Sequence, residues 1–228
     1  MRPDAVPEAG EVLLVDKPAG WTSFDVVAKL RRAYGGLKMG HAGTLDPLAT
    51  GLLILCTGQK RKEIDRFMGL EKEYVAGMKL GIRTPSYDME TDVSERADVS
   101  ALTVAQVRTM MEGCVGPTRQ VPPMWSAVKI GGQRLYTLAR KGIEVERPPR
   151  EVQIYSLRPD RIALPDVVFT VVCSKGTYIR TLVHDMGEML GCGATMTALR
   201  RTRIGPYSIE DALSVQQLVE RAQALRLA

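Results

Sequence analysis

Residues Lys38–Leu53 read KMGHAGTLDPLATGLL. A single acid, Asp46, stands among glycines, threonines and small apolar residues, and Pro47 stiffens the position after it. Upstream, EVLLVDKP reads as a short strand ended by Pro18. TSFDVVAKLRRAYGG then reads as a helix capped by Thr22 or Ser23 and stopped by Gly35 and Gly36. Downstream, the apolar run GLLILCTG suits a buried strand, KRKEIDRFMGL a helix, and KEYVAGMKLG an alternating strand with Tyr74, Ala76, Met78 and Leu80 on one face. Asp46 is therefore placed in a loop. The local pattern allows two roles for it: the cap of a helix or turn opening at PLATG, with Pro47 in the first position, or a carboxylate presented to a ligand.

Further along, Thr84–Ala97 (TPSYDMETDVSERA) is acidic and turn-rich, and TVAQVRTMMEGC reads as a helix. Val115–Ile154 combines paired prolines, paired glycines, Trp125, Tyr136 and many cations, and resembles an extended arm more than a core element. VVFTVVCSKG reads as a strand, TYIRTLVHDMGEMLG as a helix ending at Gly191, TALRRTRIGPYSI as a strand and SVQQLVERAQALRL as a closing helix. There is no internal repeat and no low-complexity linker. Strands and helices mix without a regular βαβ alternation, so the expected class is α+β.

At 228 residues, 45% hydrophobic and 25% charged, the chain can bury one sizeable core, and a single domain over 1–228 is expected. No window has the apolar length of a membrane span, and MRPDAVPEAGEVLLVDKP lacks the basic-then-apolar layout of a secretory signal; a cytoplasmic location is expected. Four scattered cysteines and two histidines do not assemble a zinc cluster, and the cysteines read as reduced, buried thiols. The formal charge of +5 is modest, but cations gather in KLRR, GQKRK, ARKG, ERPPR and LRRTR. Such blocks are either a solvated face or a surface for a polyanion.

Two resemblances bear on Asp46. The His41–Asp46 spacing, H-x-x-x-x-D, resembles the catalytic pair of glycerolipid acyltransferases, but the phosphate-binding block and membrane-associating segment of that family are not found. The second covers nearly the whole chain. GHAGTLDPLATGLL resembles the signature of the TruB family of tRNA pseudouridine synthases. DKPAGWTS is similar to its N-terminal K-P-x-G block, EKEYVAGMKLG to its tyrosine strand and QVPPMWSAVKIGGQRLYTLARKG to its RNA-gripping insertion. CSKGTYIRTLVHDMGEMLGCGATMTALRRTRIG is similar to its second active-site segment.

That resemblance implies the pseudouridine synthase fold, a mixed, largely antiparallel sheet with flanking helices and an RNA-binding insertion at about residues 120–150. It implies isomerisation of uridine to pseudouridine at position 55 in the T loop of tRNA. Asp46 becomes the nucleophile, toward either the sugar carbon or the uracil ring, and Arg180 the cation that keeps its carboxylate ionised. Tyr74 stacks on the uracil and is a candidate base for the last proton removal. His41 lies beside the extruded nucleotide, and Tyr178 and Leu199 line the base pocket. Lys17 and Pro18 support the catalytic loop. Extruding a base costs about a few kcal/mol, offset by stacking and phosphate contacts. The cations expected to supply those contacts are Lys129, Arg134, Arg140 and Lys141 in the arm, and Arg200, Arg201 and Arg203 after the pocket leucine. No metal, nucleotide or redox cofactor is implied, and the expected state is a monomer acting on the T arm without an obligate protein partner. The chain departs from the family pattern in three places. A C-terminal PUA-like module is expected to be absent after the catalytic part, Trp125 replaces a more usual Tyr or Phe before Ser-Ala, and TPSYDMETD is a loose version of the T-x-T-x-D-x-E-G loop. A guide-dependent branch that modifies ribosomal RNA shares related motifs. A protein that only grips and folds the T arm is the rival of another class.

Overall fold

A computed structural model describes residues 10–227; Ala228 and Met1–Ala9, part of the stretch read for a secretory signal, lie outside the described residues. In chain order the elements begin with β1 (Val12–Lys17), α1 (Ser23–Ala33), β2 (Met39–His41) and β3 (Thr50–Thr57). A 3-10 turn (Gly58–Glu63) leads into α2 (Ile64–Gly69), followed by β4 (Lys72–Leu80), β5 (Ile82–Arg83), β6 (Glu95–Arg96) and α3 (Val104–Gly113). Next come β7 (Gly116–Gln120), β8 (Lys129–Ile130), β9 (Gln133–Arg134), α4 (Leu135–Ala139), β10 (Arg150–Ala163) and β11 (Asp166–Cys173). The described chain closes with α5 (Ile179–Met189), β12 (Ala194–Ile204), β13 (Tyr207–Ser208), β14 (Leu213–Ser214) and α6 (Val215–Leu227). Contacts divide it into two compact units. The described residues up to Tyr74 and from Leu199 onward form one, and Val75–Ala198 the other.

In the first unit the strand order is β14-β1-β3-β12, with β1 antiparallel to β3, and β14 and β12 parallel to β1 and β3. The run Gly51–Cys56 is apolar throughout because β3 is covered on both faces. Leu53 and Leu55 pack with Leu13, Val15 and residues of α1 and α6, while Leu52, Ile54 and Cys56 pack with Phe67 and Ile204. Gly51 lies at φ 99° where β12 passes, and a Cβ there would sit 2.3 Å from the Arg201 carbonyl oxygen, so no larger residue fits. Helix α1 starts at a full capping box. Thr22 accepts from the Asp25 backbone N–H, and the Asp25 carboxylate accepts from the Thr22 N–H at 2.9 Å.

In the second unit the order is β4-β11-β10-β7, and β10 runs antiparallel to both neighbours. The fourteen-residue strand β10 is not evident from the sequence pattern. Its pairing with β11 shifts register between Ile154 and Ser156 and again between Pro159 and Arg161, which breaks the period-two alternation. Residues 120–150 are more than an extended arm. Gly131 and Gly132, at φ 57° and 81°, make the two-residue turn that joins β8 to β9, the arrangement that needs positive φ at both central positions. Met124, Leu135 and Leu138 then form a small apolar cluster of the arm's own. All four cysteines are buried thiols, and no helix among the described residues is long and apolar enough to cross a membrane.

Candidate active site

The Asp46 loop belongs to the first unit, and its geometry follows from who holds the backbone on either side of the acid. On one side, the Ser23 hydroxyl accepts from the Leu45 N–H at 2.9 Å and donates to the Leu45 carbonyl at 3.2 Å. On the other, the Pro47 carbonyl accepts from the Gly20 N–H at 2.9 Å and from Lys17 Nζ at 3.1 Å. Asp46 itself opens a turn in which the Ala49 N–H donates to its carbonyl at 3.1 Å, with Pro47 second. It is a turn rather than a helix cap. The half-buried side chain therefore stands between two anchored peptide units.

Lys17 is wholly buried at the end of β1 and donates to the carbonyls of Pro18, Trp21 and Pro47. Burial lowers its pKa to about 8, and the Asp46 carboxylate is the largest influence opposing that fall. Lys17 therefore both ties the loop and sets its ammonium in the field of the acid. Pro18 is exposed, and its carbonyl takes one of the three lysine hydrogen bonds. His41 ends β2, half-buried, and its pKa is lowered by burial and by the Arg201 charge against a hydrogen bond with the Gly43 backbone. Tyr74 and Leu199 are both buried, on β4 and β12, and the Leu199 carbonyl accepts from Thr50 Oγ1 at 3.5 Å.

Arg201 requires a correction. It is 1% exposed, with Nε donating to the Leu52 carbonyl at 2.7 Å and Nη2 to that of Gly43 at 3.2 Å, so it braces the loop and offers nothing to a phosphate. Arg200 grips Asp16 with two hydrogen bonds, at 3.1 and 2.8 Å, and Arg203 pairs with Glu71 at 2.8 Å and Glu73 at 3.6 Å. Both remain reachable, but each is already neutralised by carboxylates. Charge reading alone could not separate these three arginines from a free basic patch. Lys129, Arg134, Arg140 and Lys141 are exposed on the arm, and Arg134 and Arg140 lie 5.9 and 5.5 Å from the Tyr136 ring centre.

Arg180 belongs to the second unit, in the first turn of α5, and is 2% exposed. Gln120, buried on β7, fixes the entry to that helix. Its amide accepts from the Tyr178 N–H at 3.0 Å and donates to the Tyr178 carbonyl at 3.2 Å. The Tyr178 ring has the Arg150 guanidinium 5.4 Å from its centre. The Arg180 guanidinium donates to the carbonyls of Ser86 at 3.1 Å and Trp125 at 2.9 Å, and Asp88, 3% exposed, lies 3.4 Å from it. Removing one member of such a buried pair costs roughly 3–5 kcal/mol because the other charge is stranded. The loosely matching TPSYDMETD loop thus supplies a carboxylate and a carbonyl to the arginine, and the arm supplies a second carbonyl through Trp125. Asp88 and Gln120 were not singled out from the sequence, and Ser23 was read there only as an alternative cap of α1. For Ser23 a faint signal existed: with Thr22 and Asp25 completing the capping box, the neighbouring hydroxyl was surplus. Among the described residues no group of three or more His, Cys, Asp or Glu side chains could hold a metal ion.

The chain matches the profile of the TruB family pseudouridylate synthase N-terminal domain over residues 31–179, and that of the tRNA pseudouridylate synthase B C-terminal domain over residues 180–226. It is 53% identical over 216 residues to the tRNA pseudouridine synthase B of Chlorobium luteolum, covering 92% of this chain and 75% of that protein. It is 48% identical over 217 residues to the tRNA pseudouridine synthase B of Chloroherpeton thalassium, covering 93% and 90%. Among solved structures it is similar to a Cbf5–Nop10–Gar1 complex, with a TM-score of 0.73, 32% identity and coverage of 93% of this chain and 54% of that one. A second similar structure is an H/ACA RNP bound to a substrate RNA containing 2'-deoxyuridine, at a TM-score of 0.70, 29% identity and coverage of 93% and 53%. The chain spans about half the length of those two solved chains. The mixed, mostly antiparallel strands and six α-helices of its described residues are the fold of the pseudouridine synthases. The chain belongs to the TruB family of pseudouridylate synthases. The acyltransferase resemblance, resting on two residues, is displaced by this.

Proposed function

We propose that this chain converts uridine to pseudouridine at position 55 in the T loop of tRNA. Asp46 is the nucleophile. The glycosidic N–C bond breaks, the uracil turns while held, and a C–C bond to the sugar replaces it, so that one proton leaves a ring carbon and one is gained on nitrogen. The net change is an isomerisation. The observation that carries the reading is the Asp46 carboxylate on a loop fastened at Leu45 and Pro47, with the Lys17 ammonium in its field, in a chain of this family. A nucleophile has to be ionised and held in place before the substrate arrives, and that loop supplies the holding.

Arg180 serves as the cation that favours the ionised carboxylate, with Asp88 and two carbonyls setting the direction of its remaining donors. Tyr74 stacks on the target base and removes the last proton; His41 flanks the extruded nucleotide, and Tyr178 and Leu199 bound the pocket. The exposed cations Lys129, Arg134, Arg140 and Lys141 contact T-arm phosphates, and residues 120–150 close on the RNA as the grip of one catalytic module. The chain acts as a monomer, in the cytoplasm where its tRNA substrate is.

The test is Asp46→Asn on an unmodified tRNA transcript, with pseudouridine mapped by nucleotide position. Product should vanish while RNA affinity stays near that of the wild type. Substantial residual pseudouridine would reject Asp46 as nucleophile, and a wild type that binds the T arm without making product would favour the RNA-folding rival.

A further inference from the structure

Among the described residues, Tyr87 is the only residue other than glycine in the left-handed region, at φ 64°. Side chains with a Cβ are held in that conformation by their surroundings, and an aromatic residue there asks for an explanation. Three contacts hold it. The Tyr87 N–H donates to the Thr84 carbonyl at 3.1 Å, its carbonyl accepts from the Met196 N–H at 3.0 Å, and its ring lies flat on the His184 imidazole, with centres 3.9 Å apart and planes 10° from parallel. The neighbouring residue on one side, Ser86, gives its carbonyl to Arg180, and the neighbour on the other, Asp88, gives its carboxylate. His184 is four residues after Arg180 on α5, hence on the same face one turn later. One ring stack therefore joins the loop that grips the guanidinium to the helix that carries it.

We propose that the Tyr87–His184 stack is a positioning device for the reaction, keying the Thr84–Thr91 loop to α5 so that Asp88 and the Ser86 carbonyl meet the Arg180 guanidinium at a fixed angle. This rests on the assignment of Arg180 to the synthase site. Neither ring touches a reacting atom in this account. Each acts through the arginine. The loop's own bonds, Thr84 Oγ1 and Ser86 Oγ to the Asp88 carbonyl at 2.7 and 3.0 Å and the Ser86–Thr91 hydroxyl pair at 2.8 Å, keep its shape, and the stack adds to the Arg180 bonds a second contact with α5, one turn further along the helix. Burial lowers the His184 pKa, with Glu188 opposing and Arg83 assisting, so the ring is neutral near pH 7 and stacks without displacing a charge.

Three single variants test it. Tyr87→Gly keeps the left-handed backbone at no steric cost and discards the ring, His184→Ala discards the opposite ring, and His184→Phe keeps a flat ring without the nitrogens. Turnover is measured on an unmodified tRNA transcript beside the wild type, with melting temperatures to establish folding. Tyr87→Gly and His184→Ala should each lower kcat by about tenfold with KM within about twofold, because the arginine is displaced only slightly and RNA contacts are untouched. The double variant should be no slower than either single, since both remove one contact. His184→Phe should recover kcat to within about threefold of wild type. With only two histidines in the chain, the imidazole proton resonances report directly. Those of His184 should lie upfield in the wild type and return toward ordinary values in Tyr87→Gly. Wild-type kcat in both ring-deleting variants, a His184→Phe as slow as His184→Ala, or multiplicative losses in the double variant would overturn the proposal. A wild type that makes no pseudouridine while showing the upfield shift would instead sink the synthase reading, and with it the catalytic use of the stack, leaving the stack itself established.

Discussion

Two adjacent hydroxyls at the start of α1 offer a sharp comparison. Thr22 caps the helix, whereas Ser23, one residue on and 2% exposed, spends its hydroxyl on Leu45, next to the proposed nucleophile. Thr22→Ala removes a cap worth about 1 kcal/mol. Ser23→Ala leaves a buried N–H without its acceptor and a carbonyl without its donor, a cost of about 1–3 kcal/mol. For a chain of this size each kcal/mol lowers Tm by roughly 2–4 °C, so the two variants overlap in stability, with Ser23→Ala somewhat lower. They should separate in activity. Freed at Leu45, the loop keeps its Pro47 anchor but can swing, and a displacement on the order of 1 Å at a reacting group costs up to about a hundredfold in rate. Steady-state kinetics on the tRNA transcript, run well below both melting temperatures, should show kcat roughly 10–100-fold lower for Ser23→Ala and unchanged within about twofold for Thr22→Ala. Equal kcat values in the two variants, alongside the expected loss of Tm, would refute the claim that the Ser23 hydroxyl holds the catalytic loop in register.

The buried lysine predicts a pH dependence with a definite sign. Lys17 titrates near pH 8 when folded against 10.5 for the ordinary side chain, so between those values the unfolded chain holds a proton that the folded chain has released. Stability of the wild type relative to Lys17→Met should therefore rise from about pH 8 to 10.5 and be level below that window; urea midpoints that stay parallel across it would contradict the assignment. The arginines predict a contrast of another kind. Arg201→Met should lower Tm while leaving the salt dependence of RNA binding as it was, whereas Lys141→Ala should leave Tm unchanged and reduce the slope of log K against log salt by about one. A lowered slope in Arg201→Met would restore it as a phosphate contact.

Much of this protein was legible in one dimension because local physics repeats along the chain. The apolar run at Gly51–Cys56 announces a strand covered on both faces, the alternation from Tyr74 to Leu80 one with a buried side, and Thr22–Asp25 a helix start; each needs only neighbours a few residues away. Asp46 and its glycine-rich surroundings were conspicuous for the same reason. What the tertiary structure decided are the long-range hydrogen-bond accounts. Arg201 looked like its neighbours in LRRTR, yet it is buried against the carbonyls of Leu52 and Gly43, while Arg200 and Arg203 are met by acids more than a hundred residues away in sequence. Asp88 and Arg180 stand far apart in sequence, and nothing in TPSYDMETD says which of its acids is buried against an arginine. Strand β10 escaped notice because its register shifts erase the alternation that marks a strand. Periodicity records which face of an element meets apolar surroundings, but a buried charge is settled by the particular distant atom that meets it, and that partner exists only once the chain has folded.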